Sequence, residues 1–146
     1  MGTREPLDDG PRYFRELQDL AAANSAWVTL HEDLSRTDLS GLTGRLLYGI
    51  HAQVEEHFGI APAEALLGGC IPFVHDSGGQ AEIVDRDRRL CFSTEEDAVR
   101  KLSAVMRDGS LQTAILESLA PRRELFTPDR FVEGLRNAVR QLAGSD

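Results

Sequence analysis

The chain has 146 residues, which suits one domain with a buried core, and its composition is that of an ordinary globular protein. A formal net charge of −8 argues against a general nucleic-acid-binding or anionic-membrane surface. No apolar run approaches the roughly 20 residues of a membrane-spanning helix, and the first residues lack a signal-peptide core. Cys70 and Cys91 do not make a disulfide framework. The sequence therefore predicts a cytoplasmic protein that is neither exported nor membrane-spanning.

Turn residues and apolar spacing divide the chain into a lead-in and one domain. Residues 1–11 are rich in Pro, Gly and Asp and are predicted to be a loose lead-in, which leaves residues 12–146 as the domain. Helical spacing and capping residues predict helices at Tyr13–Ala23, Asp38–Leu46, Pro62–Leu67, Thr94–Met106, Leu111–Leu119 and Phe131–Leu142. Apolar runs predict strands at Ala26–Leu30, Leu47–His51, Ile71–Val74 and Arg89–Phe92, with a turn at Ala81–Val84.

The order of these elements indicates the fold class. Strands alternate with helices, which favours an α/β fold with a mainly parallel sheet. The run Ile71–Val74 is apolar at every position, as is typical of a strand that is covered on both faces.

The most informative residues surround the helix predicted to open at Pro62. Gly59, Ile60 and Ala61 precede it, and none of them offers a side-chain oxygen as a cap. The first N–H groups of a helix have no partner within it, and the helix dipole is positive at that end. An uncapped helix start after a strand is therefore a candidate phosphate site.

Two carboxylates, Glu56 and Glu64, flank this candidate phosphate site and are separated by seven residues. Glu56 is predicted in the preceding loop and Glu64 in the first helical turn, where a negative charge would repel a phosphate but could accept hydrogen bonds from ribose hydroxyls. Glu56 would reach a second polyol. The phosphate site and the two carboxylates together imply a nucleoside diphosphate sugar as ligand. Each residue also has an ordinary explanation, because Glu64 suits the helix dipole, a loop Glu56 is usually solvated, and Gly78-Gly79 is most often a turn.

The combined pattern resembles the E-x7-E region of retaining GT-B glycosyltransferases, in particular family 4, the glycosyl transferases group 1. The matching segments are Glu56-His57-Phe58-Gly59-Ile60, Pro62-Ala63-Glu64-Ala65, Ile71-Pro72-Phe73-Val74 and Gly78-Gly79-Gln80-Ala81-Glu82-Ile83-Val84. Gly49-Ile50-His51 ahead of this core is similar to mannosyltransferase-type members. The similarity runs from about Tyr13 to Phe131, and it implies a Rossmann-like three-layer lobe, the C-terminal donor-binding half of a GT-B fold.

By this resemblance the site takes a nucleotide diphosphate sugar as donor substrate, with no other cofactor and no metal. Glu56 would be the catalytic residue, in contact with the transferred sugar, and Glu64 would bind the ribose hydroxyls. The Phe58-Gly59-Ile60 backbone would line the phosphates and the sugar. Gly78 and Gly79 would let the chain pass close to the donor, with Glu82 supporting their loop. His51 and His75, at the ends of predicted strands, are expected to face the same pocket.

Family members also have an N-terminal acceptor lobe, and their donor lobe opens with a strand, a glycine turn, an Arg and a Lys. The sequence lacks these elements, so it is expected to be the donor half without its first strand and to be inactive alone. An exposed sheet edge would then favour a homodimer. The alternative function is a non-catalytic nucleotide-binding or subunit-assembly module. The spacing of His31, Glu32, His51 and His57 fits no zinc pattern, and the contiguous His75-Asp76-Ser77 is not a catalytic triad.

Overall fold

The computed structural model describes residues 10–144 of the chain. These residues divide into two compact units, one that ends at Ser35 and one that begins at Arg36. In the first unit, helix α1 spans Gly10–Ala23. It confirms the predicted helix and begins earlier, so that Gly10 and Pro11 of the predicted lead-in are helical, while residues 1–9 lie outside the described part. Among residues 10–144, no helix is both long and apolar enough to cross a membrane.

The predicted strand at Ala26–Leu30 is wrong. The N–H groups of Trp27 and Val28 both donate to the Asn24 carbonyl, at 3.0 and 2.9 Å, and hold residues 24–27 in a turn. The side-chain amide of Asn24 also donates to the Leu20 carbonyl at 2.8 Å. Local backbone hydrogen bonds at the end of α1 therefore decide this segment against its β-branched and aromatic composition.

The second unit contains the sheet and the remaining helices. Its elements are α2 Arg36–Thr43, β1 Tyr48–His51, α3 Ile60–Leu67, β2 Ile71–His75, α4 Gln80–Ile83, β3 Cys91–Phe92, α5 Glu95–Arg107, α6 Gly109–Arg123, a 3₁₀ turn Glu124–Phe126 and α7 Pro128–Ala143. These confirm the predicted helices and strands of this region. The segment predicted as a turn at Ala81–Val84 is instead the single turn of helix α4.

The three strands form a parallel sheet in the order β1-β2-β3. Ile71 to Val74 of β2 are buried at every position, and because successive side chains point to opposite faces, both faces of the sheet are covered. Pro72 is tolerated in this central strand because β3 pairs only with Val74 and His75, so the proline removes no hydrogen bond to β3. The Rossmann-like α/β lobe with a parallel sheet is confirmed.

The hydrophobic core lies around β2. Its fully buried large side chains include Phe73 and Ile71 of β2, Leu66 of α3, Ile83 of α4, Leu90 before β3, and Ile115 and Leu119 of α6. Helix α3 ends in a Schellman arrangement, in which the Cys70 N–H donates to the Ala65 carbonyl and the Gly69 N–H to the Leu66 carbonyl. This sharp stop returns the chain directly into β2, so that α3 packs against β1 and β2 and its first turn lies beyond the carboxyl end of β1.

Candidate functional site at the carboxyl edge of the sheet

Helix α3 begins without a side-chain cap, as the sequence predicts. Gly59 is its N-cap residue, with φ +93°, and the first intrahelical bond runs from the Ala63 N–H to the Gly59 carbonyl at 3.1 Å. Helix geometry leaves the N–H groups of Ile60 and Ala61 without an intrahelical partner, while Pro62 has no N–H to offer. Both residues are exposed, so two backbone donors at the positive end of α3 are available to an anion.

The position of Glu64 differs from the prediction. The helix begins at Ile60, two residues before the expected Pro62, so Glu64 is the fifth helical residue and lies in the second turn. The proline occupies the third position because the first four N–H groups of a helix are all free of helical bonds, which lets proline fit anywhere among them. Glu64 therefore stands one turn from the N–H groups, and its charge is not explained as a first-turn dipole partner.

Glu64 pairs with a cation that sequence analysis missed. The Arg36 guanidinium, at the start of α2, lies 2.8 Å from Glu64 Oε1. Arg36 stands 28 residues before Glu64 and follows a polar segment, so no local pattern marks it. The pair contributes little to stability, because the Arg36 side chain is 89% exposed. Its guanidinium is therefore free to turn toward a ligand.

Arg36 and Glu64 also line a cavity of about 580 Å³. Its walls are largely apolar and come from the exposed face of α3 and from the chain around the start of α7; they are Phe58, Ile60, Ala63, Leu67, Leu125, Phe126, Thr127, Pro128 and Phe131. Phe58 and Phe126 meet edge to face, with ring centroids 6.1 Å apart. The predicted site residues Phe58, Ile60 and Glu64 thus share one cavity, and a planar apolar group with an attached polyol fits its chemistry.

Glu56 has different neighbours. Its Oε2 lies 4.0 Å from Nε2 of His51, at the end of β1, so the two predicted site residues are adjacent. The Nε2 atom is buried and has no hydrogen-bond partner among the described residues. The Glu56 carboxylate and the unpartnered imidazole nitrogen of His51 thus lie side by side at the end of β1.

Gly78 and Gly79 follow β2 and pack against the backbone of the loop that carries Glu56. A Cβ atom added to Gly78 would stand 2.2 Å from the Glu56 carbonyl oxygen, and one added to Gly79 would stand 2.2 Å from the His57 carbonyl oxygen. The Gly79 N–H donates to the Glu56 carbonyl at 2.8 Å. The structure thus gives a reason for both glycines within the protein itself. The expected approach to a donor remains a prediction.

Two polar side chains beside these glycines were not singled out as site residues from the sequence. Ser77 Oγ accepts the Glu55 N–H at 2.8 Å, and the fully buried Gln80 donates from Nε2 to the Gln53 carbonyl at 2.5 Å. The sequence marks neither residue beyond its place next to Gly78-Gly79. His75 bonds through Nδ1 to Ser77 Oγ at 2.8 Å and packs its ring on Phe92.

The remaining candidates have local partners. The Glu82 carboxylate is 70% exposed and pairs with Arg86 at 3.2 Å, on the solvent side of α4, so it is not seen supporting the glycine segment. Within residues 10–144, no group of three His, Cys, Asp or Glu side chains is placed to hold a metal ion.

A parallel α/β lobe with polar loops and a free helix start at the carboxyl edge of its sheet belongs to the class of Rossmann-like ligand-binding lobes. The model of the family described as glycosyl transferases group 1 matches residues 10–118, and the chain belongs to this family. Among curated proteins, alpha-1,3/1,6-mannosyltransferase ALG2 of Homo sapiens is 27% identical over 147 aligned positions. The match covers 97% of this chain and 35% of the mannosyltransferase, so the chain spans about a third of that relative. No solved structure matches this chain significantly.

Proposed function

We propose that this chain binds a nucleotide diphosphate sugar and serves as the donor-binding lobe of a hexosyltransferase that transfers the sugar to a hydroxyl acceptor with retention. The observation that carries the proposal is the uncapped start of α3, where the Ile60 and Ala61 N–H groups meet the positive end of the helix dipole between two carboxylates. Membership of the group 1 family supports glycosyl transfer as the reaction. Because the chain spans 35% of its mannosyltransferase relative, transfer by the chain alone is not expected.

The roles of the side chains follow from their neighbours. The diphosphate accepts hydrogen bonds from the Ile60 and Ala61 N–H groups, with the Phe58-Gly59-Ile60 backbone alongside. Glu64 accepts hydrogen bonds from the ribose hydroxyls at the wall of the cavity, and the base lies against its aromatic side chains. Glu56 and His51 contact the hydroxyls of the transferred sugar, and the Gly78-Gly79 backbone closes that side.

Arg36 supplies positive charge beside the diphosphate, where the Arg and Lys of the family's donor lobe are lacking. The two phosphates of a bound donor would be repelled by the nearby carboxylates of Glu56 and Glu64. The 2.8 Å ion pair between Arg36 and Glu64 partly neutralises Glu64 before any ligand arrives. When the donor binds, the exposed guanidinium can reach a phosphate while Glu64 turns to the ribose. Stabilisation of the leaving diphosphate by the Ile60 and Ala61 N–H groups and by Arg36 is the main catalytic help that this site can give.

The test is calorimetric titration of the full chain with GDP-mannose, UDP-glucose and ADP-glucose. We expect one of them to bind, and Glu64→Gln to weaken that binding by about tenfold, because a hydrogen bond to a charged group is lost. Arg36→Gln should weaken a nucleoside diphosphate more than the corresponding nucleoside. Glu133→Gln is the matched control, since Glu133 is also ion-paired, with Arg130 at 2.7 Å, but lies on α7. Absence of binding by all three donors would refute the proposal.

A subunit-assembly module is the second candidate, and the surface of α7 favours it. None of the described α7 side chains is buried, and Phe131, Leu135, Val139 and Leu142 are between 56% and 81% exposed along one stripe. Light scattering at high concentration distinguishes the two functions. Association that is abolished by Leu135→Glu and Val139→Glu, together with no donor binding, would establish assembly, and would also place the contact on α7 and not on the sheet edge.

The free thiols of Cys70 and Cys91 are compatible with a reducing compartment, which supports a cytoplasmic location for the protein.

A further inference from the structure

The loop that carries Glu56, residues Gln53–Phe58, has no regular secondary structure of its own. Glu55 within it has φ +53°, a conformation that costs energy for a residue with a side chain. A loop of this kind holds one shape only when neighbouring groups fix it. The segment after β2, Ser77–Gln80, supplies those groups and is here called the glycine turn.

Three hydrogen bonds join the glycine turn to the Glu56 loop. Ser77 Oγ accepts the Glu55 N–H, the Gly79 N–H donates to the Glu56 carbonyl, and the Gln80 amide donates to the Gln53 carbonyl. Backbone groups on both sides of the Glu56 side chain are thereby held. The two glycines permit this approach, since a Cβ on either would overlap a carbonyl of the loop.

The Gln80 side chain has a feature that filling the core does not require. Gln80 is fully buried, yet its Oε1 atom has no partner among the described residues, so a leucine would fill the same space without an unsatisfied oxygen. Ser77 Oγ accepts a hydrogen bond from the Glu55 N–H and can donate one through its hydroxyl hydrogen to Nδ1 of His75. Each of the two side chains thus makes one hydrogen bond to the backbone of the Glu56 loop, and Ser77 also bonds His75 at the end of β2.

We propose that Ser77 and Gln80 are positioning residues that fix the Glu56 loop so that the Glu56 carboxylate meets the transferred sugar. The inference rests on the proposed function, because it takes Glu56 as the sugar contact. It separates the two parts of the donor: the nucleotide is held by α3 and its cavity, and the sugar is held through the glycine turn. Neither Ser77 nor Gln80 touches the reacting atoms in this account.

The experiment compares the affinity of the full chain for a nucleotide sugar with its affinity for the matching nucleoside diphosphate. The probes are GDP-mannose, UDP-glucose and ADP-glucose and their diphosphates, titrated into wild type, Ser77→Ala, Gln80→Leu and Gln80→Met. Loss of one neutral hydrogen bond should lower the affinity for the nucleotide sugar about three- to tenfold. The affinity for the diphosphate should stay the same.

The controls are Ser118→Ala and Gln112→Leu, which remove comparable side-chain bonds to the Ile115 and Val105 carbonyls in α6 and α5. They should leave both affinities unchanged. Equal losses for diphosphate and nucleotide sugar in the Ser77 and Gln80 variants, or no loss for either ligand, would overturn the positioning role alone. If wild type binds none of the donors, the proposed function fails, and the positioning role fails with it. Two different Gln80 variants guard against a folding defect, which a fall in the unfolding midpoint would reveal.

Discussion

Replacement of Gly78 by alanine measures how closely the glycine turn approaches the Glu56 loop. The added Cβ would stand 2.2 Å from the Glu56 carbonyl oxygen and 3.0 Å from the Glu56 nitrogen, and Gly78 also has φ +62°. Backbone atoms cannot turn away as a side chain can, so the loop must move. The variant therefore combines a steric cost with a conformational one.

The chain offers glycines that separate these two costs. Gly69 has φ +98° but no atom within 4 Å of an added Cβ, so Gly69→Ala carries only the left-handed penalty of about 1–2 kcal/mol. Gly79 has φ −74° but the same 2.2 Å overlap, so Gly79→Ala carries only the packing cost of about 1–3 kcal/mol. Gly78→Ala should then lose about 2–5 kcal/mol of unfolding free energy, if the two costs add. Gly109→Ala, with neither feature, should be near neutral.

Urea unfolding followed by circular dichroism gives these free energies, provided that the slope of the transition is the same for all variants. The diagnostic quantity is the difference between Gly78→Ala and Gly69→Ala. If the two variants are equally stable, the close approach of the glycine turn to the Glu56 carbonyl is refuted, and with it the structural reason for Gly78.

Three further outcomes follow from the second unit. Thr94→Ala should cost about 1 kcal/mol in urea unfolding, because the Thr94 side chain accepts the Asp97 N–H at the start of α5; an unchanged midpoint would contradict this cap. Burial, with help from nearby acidic groups, raises the pKa of Cys91 to about 11, so its thiol should react with a disulfide reagent at pH 8 only after unfolding; rapid reaction in the native chain would be evidence against its burial. Burial alone would raise the pKa of Asp87, but hydrogen bonds from Arg89 outweigh burial and the net pKa is lowered. The Asp87 carboxylate therefore stabilises the fold above its unfolded pKa of about 4, and it loses that contribution as the pH falls further. Asp87→Asn should therefore reduce the difference in stability between pH 7 and pH 3, and an unaltered difference would count against the pair.

Most of the helices and strands could be predicted because their signals are local. The capping Thr94, the apolar spacing of α5 and the continuous apolar run of β2 each specify one element without help from distant residues. The strand predicted at Ala26–Leu30 failed since strand formation needs a partner, whereas Asn24 could satisfy the nearby N–H groups at once.

The start of α3 was predicted in kind but not in position. The absence of a cap could be predicted from Gly59, Ile60 and Ala61, which carry no side-chain oxygen. The first helical residue could not, because proline fits several places in a first turn and the close packing of Gly59 against Gln80 and Ile83 fixes the actual start. That shift of two residues moved Glu64 into the second turn, beside Arg36.

The α/β order of elements, the uncapped helix and the two carboxylates separated by seven residues could all be derived from the sequence, since each of these is a matter of residue type and spacing along the chain. The contacts of Arg36 with Glu64, of His51 with Glu56 and of Gln80 with Gln53 emerge only in the folded chain. The parallel sheet brings the ends of β1 and β2 to one edge, so the loops that follow them pack together across more than twenty residues of chain. Contacts of that kind depend on how the strands are ordered and registered, which no local pattern contains.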